Sequence, residues 1–184
     1  MTTLEKILQK GELTSNEALA LFDRLDTVDQ KFMLGRWHGS GLPTNHPLDG
    51  LLETYNWYGK EFVDADHVNP LLFADAQGKL FKVNPAFMPT ALAMRLPALK
   101  SQAAKGLFLL LSPLLRTTKS KARLRLTEYR GKVSATMIYD NLPIHDVFRK
   151  VDENTLMGVM DLKGVEQPFF FILRRDVQSL GECT

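Results

Sequence analysis

From Ala122 onward the chain is a succession of short alternating segments broken at turn residues, and that pattern leaves few folds open. "ARLRLTEY" sets Ala122, Leu124 and Leu126 on one face, Arg130-Gly131 reads as a turn, and "KVSATMIYD" sets Val133, Ala135, Met137 and Tyr139 on one face. "IHDVFRKV", a turn at Asp152-Glu153-Asn154, "TLMGVMDL", a turn at Lys163-Gly164 and "QPFFFILRR" continue the series as five strands in meander order. Upstream, "KFMLGRWHGSG" reads as a strand whose glycines permit close backbone approach, and "VNPLLFADAQGKLFKV" as a hairpin turning at Asp75-Ala76-Gln77-Gly78. The count approaches eight, enough to close a barrel with room inside for side chains or one small ligand. Phe169 to Leu173 is apolar on both strand faces, so one face meets the interior and the other needs a cover, expected from the helices between Pro89 and Leu115.

The rest of the chain reads as helical. Thr14 and Glu17 fit a capping box before "ALALFDRL", and with "LEKILQK" they make an N-terminal helical lead-in over residues 1–30. "NHPLDGLLETYNWYGKEF" repeats apolar residues at helical spacing and predicts a helix ending near Gly59. Pro89, Pro97 and Pro113 punctuate an Ala/Leu-rich stretch expected to form two short helices. Residues 31–184 are then one barrel domain, with a first part over 31–88, a helical insertion over 89–118 and a strand meander over 119–176. "GLFLLLSPLL" (Gly106 to Leu115) is too short to cross a bilayer core of roughly 30 Å and is broken by Pro113, which predicts a buried or interfacial helix. The N-terminus lacks a secretory pattern, so a cytoplasmic protein is expected. Cys183 is the only cysteine, which excludes an internal disulfide framework and Cys-rich metal sites.

Net charge is +2, but between Asp75 and Glu128 there is no acidic residue, while Lys79, Lys82, Arg95, Lys100, Lys105, Arg116, Lys119, Lys121, Arg123 and Arg125 fall in that interval. A run of this kind is either a solvated face or an attractor for an anion: a carboxylate ligand, an acidic partner, or weak contact with a membrane surface. Nucleic acid is not expected as a partner, because interleaved aromatics and a reader motif are missing.

Gly35-Arg36-Trp37-His38-Gly39 resembles the signature of the GXWXG family, and "WYGKEF", "VNPLLF" and "ATMIYDNLPIHDVFRKVD" are similar to that family together with its companion C-terminal domain of unknown function. The likeness spans roughly Leu13 to Asp176. It implies no agreed activity. A further resemblance runs to the calycin-like barrels, lipocalins, fatty-acid-binding proteins and nitrobindin-like proteins, which also begin with a Gly-x-Trp strand. In them the Trp closes one barrel end against an Arg from the last strand, which by this resemblance pairs Trp37 with Arg174 or Arg175; Arg174 is the expected partner. The fold class is therefore mainly β with helices (α+β), an antiparallel calycin-like, lipocalin-like β-barrel with N-terminal helices and a covering helical segment.

Trp37 itself reads first as a fastener: an indole buries about 150–250 Å², on the order of 4–6 kcal/mol before ordering costs. His38 is out of phase with it and faces the other way. Candidate ligand-binding residues are Arg36, Trp37, His38, Trp57, Tyr139, His145, Asp146 and Arg174. The function expected is the holding of a small hydrophobic molecule, one with an anionic head met by Arg36, Arg174 or the basic segment, in an interior lined by Phe and Met. The alternatives are an isomerase, cyclase or lyase using Tyr139, His145 and Asp146 for acid–base work, and an interaction module that sets the basic helices on a membrane. His38, His46, His67 and His145 lack metal-site spacing, so no metal is expected. A haem-binding protein of the nitrobindin-like type is a further alternative by that resemblance, in which a late-strand histidine holds the haem; it is disfavoured because no histidine follows His145, which would itself have to serve. Asp146 and Arg149, three apart on a strand, are expected on opposite faces. Oligomeric state and ligand identity are left open by the sequence.

Overall fold

The alternating segments pair into a closed ring. In the computed structural model, which describes residues 13–75, 77–87 and 97–176, two short strands, β1 (Asp26–Thr27) and β5 (Leu80–Lys82), are attached to a ring of eight. The ring runs β2 (Gly35–Gly41), β3 (Trp57–Phe62), β4 (Val68–Ala74), β6 (Ala122–Tyr129), β7 (Lys132–Tyr139), β8 (Ile144–Asp152), β9 (Thr155–Leu162) and β10 (Phe169–Arg175), which returns to β2. Every pairing is antiparallel, as hairpins and meanders require. Arg130 and Gly131 both take positive φ, 51° and 74°, the two-residue turn whose twist matches its flanking strands, and Tyr129 pairs with Lys132 across it. The weakest seam is between β4 and β6, whose ladder consists of Val68 opposite Ala122. β1 pairs with the far end of β8, Asp26 opposite Lys150, and Val28 accepts from the Ala135 amide at 2.8 Å, so this segment fills the splay between β7 and β8.

The period-two pattern produces two cores. Inward residues such as Phe62, Leu124, Met137, Phe148, Phe171 and Leu173 form the barrel interior. The outward residues Val147, Met157, Val159, Phe170 and Ile172 form a second layer with Ala18 and Phe22 of α1 (Ser15–Arg24). The Thr14/Glu17 capping box is formed: the Thr14 hydroxyl accepts from the Glu17 amide and the Glu17 carboxylate accepts from the Thr14 amide. The second face of the Phe169–Leu173 run is thus covered by α1. The expectation that the Pro89–Leu115 helices would cover it is corrected, because α1 presents a buried Ala18/Phe22 stripe and is latched by Arg130 on Asp23 at 2.7 Å. Arg149 lies on this outer side, its guanidinium 5.1 Å from the Phe22 ring and donating to the Tyr129 carbonyl, so it does face away from Asp146.

Two element boundaries also differ from the sequence reading. A one-turn helix α2 (Gln30–Met33), capped by Asp29, precedes β2, where a continuous strand is expected from "KFMLGRW". The helix expected to reach Gly59 is a single turn, α3 (Leu51–Thr54), because Asn56 takes φ 57° and turns the chain into β3 at Trp57. Of the helical insertion, a 3-10 turn (Pro97–Lys100) and α4 (Gln102–Leu115) are described. α4 rests on the barrel through Phe108, whose ring lies 4.9 Å from Tyr55 and 5.2 Å from Phe73. Residues 1–12, the Pro89 helix and Cys183 lie outside the described residues.

Candidate functional site

One end of the barrel is shut by Trp37. The ring is fully buried, its Nε1 donates to the Met33 carbonyl at 2.7 Å, and the Arg175 guanidinium lies 4.1 Å from its centroid while donating to the Phe32 and Leu34 carbonyls. Arg175, not the expected Arg174, is the stacking partner. The register decides it: Arg175 stands opposite Trp37 on the inward side, whereas Arg174 stands opposite His38 and both point to solvent. The motif glycines let neighbouring groups approach the strand closely. Gly35 takes φ +106°, and a side chain on Gly39 would meet the Trp57 ring at 2.2 Å, so Gly39 is a socket for that indole.

Toward the other end the interior opens into a cavity of about 80 Å³. Its wall is apolar: Leu51 and Leu52 of α3, Leu71, Ile144, Met160 and Phe171 among others. Into this wall are set Lys60, Asp146, Tyr139 and Trp57. Lys60 Nζ and Asp146 Oδ2 are 2.8 Å apart with side chains 3% and 2% exposed, and Lys60 also donates to the Pro70 carbonyl. The ammonium lies 5.1–5.7 Å from the centroids of Trp57, Tyr139 and Phe171, an aromatic collar that stabilises it where water cannot. Two polar atoms at the cavity have no hydrogen-bond partner among the described residues, the acceptor Asp146 Oδ1 and the donor Trp57 Nε1. Burial pushes the Asp146 carboxyl up from its ordinary value, against the pull of Lys60, and burial together with the Asp146 charge pushes the Tyr139 phenol well up, so it stays a neutral donor.

The eight sequence candidates therefore separate. Trp57, Tyr139 and Asp146 converge on the cavity. Trp37 closes the opposite end. Arg36 lies outside the wall, bound to Glu61 at 3.2 Å and near Asp176 at 3.9 Å, in a network that includes Tyr58, whose hydroxyl donates to Asp176 and whose pKa is pushed up to about 12 by burial first and that carboxylate second. His38 stands against Tyr58 on that outer side. His145, between Ile144 and Asp146, is exposed opposite Asp161, so the acid–base set of Tyr139, His145 and Asp146 is split by strand alternation. None of the described residues lining the cavity is a histidine, so they do not fit an axially held haem, and no group of His, Cys, Asp or Glu among the described residues is arranged to hold a metal.

The sequence reading passed over Lys60. Simple alternation in "WYGKEF" puts Trp57 and Lys60 on opposite faces, and only the register shifts around Gly59 bring them together. The available signal was a lysine two residues from Phe62, on the same face of an aromatic-rich strand.

Comparison with known proteins adds kinship. The family model described as "GXWXG protein" matches residues 20–78, and that described as "Domain of unknown function (DUF4334)" matches residues 120–175. A search of the curated proteins finds no match. Among solved structures, a protein from Thermomonospora curvata is similar at 34% sequence identity and TM-score 0.69, covering 94% of this chain and 95% of that chain.

Proposed function

Since the chain belongs to the GXWXG family with its DUF4334 domain, which brings no named activity, we propose a function from the site: the barrel binds a small, largely apolar molecule through one neutral polar head such as a hydroxyl. The observation that carries this reading is the Lys60–Asp146 pair in an apolar cavity, with one acceptor and one donor left open beside it. A buried ion pair adds little stability over well-packed hydrophobic residues, and an unpartnered buried polar atom costs about 1–3 kcal/mol. A hydroxyl that donates to Asp146 Oδ1 and accepts from Trp57 Nε1 or the Tyr139 phenol answers those open groups.

A neutral head fits better than an anionic one. Arg36 and Arg174 lie outside the wall, and Lys60, the cation at the cavity, is already matched by Asp146. The space admits a small ligand segment as the walls stand. Displacement of an environment-sensitive dye by straight-chain alcohols, and by alkanes of matched length, tests the reading. One alcohol per barrel is expected to bind, about tenfold tighter than the alkane, and Tyr139→Phe or Trp57→Phe is expected to erode that preference. A barrel that takes up neither, or takes both equally, refutes it.

A further inference from the structure

α4 presents an apolar stripe to solvent. Leu107, Leu110, Leu111 and Leu114 recur at i, i+3, i+4 and i+7 and are 56%, 75%, 40% and 77% exposed, while Phe108 and Ser112 are the helix's buried residues. Four leucines on one helical face is more than scattered surface hydrophobicity. Where the stripe ends, the chain enters a shallow groove lined by Lys82, Arg116, Thr117, Thr118 and Lys119. Lys82 has Glu61 at 3.7 Å, whereas Arg116, whose guanidinium lies 4.4 Å from the Phe81 ring, and Lys119 have no carboxylate in salt-bridge range among the described residues; in sequence the interval between Asp75 and Glu128 holds no acidic residue.

We propose that this face docks on an anionic lipid surface, with the leucine stripe lying in the interfacial layer and the Arg116/Lys119 groove taking lipid phosphates. No helix among the described residues is long and apolar enough to cross a membrane, and a short helix that turns an apolar stripe to water, with cations just beyond its end, suits the interfacial layer instead. Charge selects the occupant. A second copy of the chain would set two Arg116/Lys119 grooves against each other, whereas phosphates complement them. The docking rests on its own observations and stands whether or not the barrel holds a ligand.

Co-sedimentation with phosphatidylcholine vesicles, with and without phosphatidylserine, tests it. The full chain is expected to bind the phosphatidylserine vesicles, less as salt rises, and to leave the neutral ones largely unbound. Arg116→Glu with Lys119→Glu is expected to weaken binding at least roughly 25-fold, from about fivefold per cation lost. Leu110→Glu with Leu114→Glu changes side chains that already face water, so the fold survives by circular dichroism, and binding is expected to drop more than tenfold. No sedimentation with phosphatidylserine vesicles, sedimentation that survives both double variants, or a self-associated dimer that the leucine variant dissolves without any vesicle binding would each overturn the proposal.

Discussion

Removing Lys60 alone and removing it together with Asp146 are expected to have very different consequences. At 2.8 Å and an effective dielectric of about 20 the pair's gross attraction is about 6 kcal/mol. Desolvation takes several kcal/mol per ion, so the pair is close to break-even and its loss as a unit is cheap. Lys60→Met leaves the Asp146 carboxylate buried and unmatched. Its escape is to bind a proton, which caps the penalty at about 4 kcal/mol at pH 7 for a carboxyl of ordinary value 3.8. The sign follows from linkage: a carboxyl raised in the folded state keeps its proton there, so stability falls as pH rises from 3.8 through the raised value. At pH 5 the cap shrinks to about 1.6 kcal/mol. Asp146→Leu leaves the ammonium buried and unmatched, for an expected cost of about 3–5 kcal/mol. Lys60→Met with Asp146→Leu is expected to fall within about 1 kcal/mol of the parent or above it. Urea unfolding followed by Trp37 and Trp57 fluorescence, run at pH 5 and pH 8, measures all four corners of the cycle. Single variants that each cost under 1 kcal/mol, with additive effects and no pH dependence, would show that the pair is screened by solvent rather than buried in the cavity wall.

Gly39→Ala places a methyl group where the Trp57 ring lies, and is expected to cost about 1–3 kcal/mol in thermal unfolding while shifting that indole into the cavity and weakening alcohol binding; unchanged binding would separate the motif from the site. Phe22→Ala empties the fully buried centre of the outer layer, for an expected loss of about 3–5 kcal/mol by urea titration; a loss under 1 kcal/mol would mean that α1 is not a structural cover. Arg175→Met removes the cation over Trp37 and both carbonyl contacts and is expected to cost about 2–3 kcal/mol, whereas Arg174→Met is expected to cost under 0.5 kcal/mol; equal effects would contradict the register.

Much of this was legible in the residues. Alternation from Ala122 to Arg175 specified five strands, the Thr14/Glu17 pair specified where α1 starts, and three glycines around Trp37 marked a place where chains approach closely. These signals are local: a two-residue period, a cap three residues long, a side chain that is missing. What the sequence determined by itself was therefore that many strands alternate, that one run is apolar on both faces, and that a basic interval without acidic residues contains a leucine-rich helix. The tertiary structure decided which surfaces meet. Arg175 rather than Arg174 reaches Trp37 because the β10/β2 register sets it there, α1 rather than the later helices covers Phe170 and Ile172, and a shift at Gly59 brings Lys60 beside Trp57 and across from Asp146. A one-residue change in register moves a side chain from water to core, and register comes from pairing segments that are far apart in the chain, which no local pattern encodes.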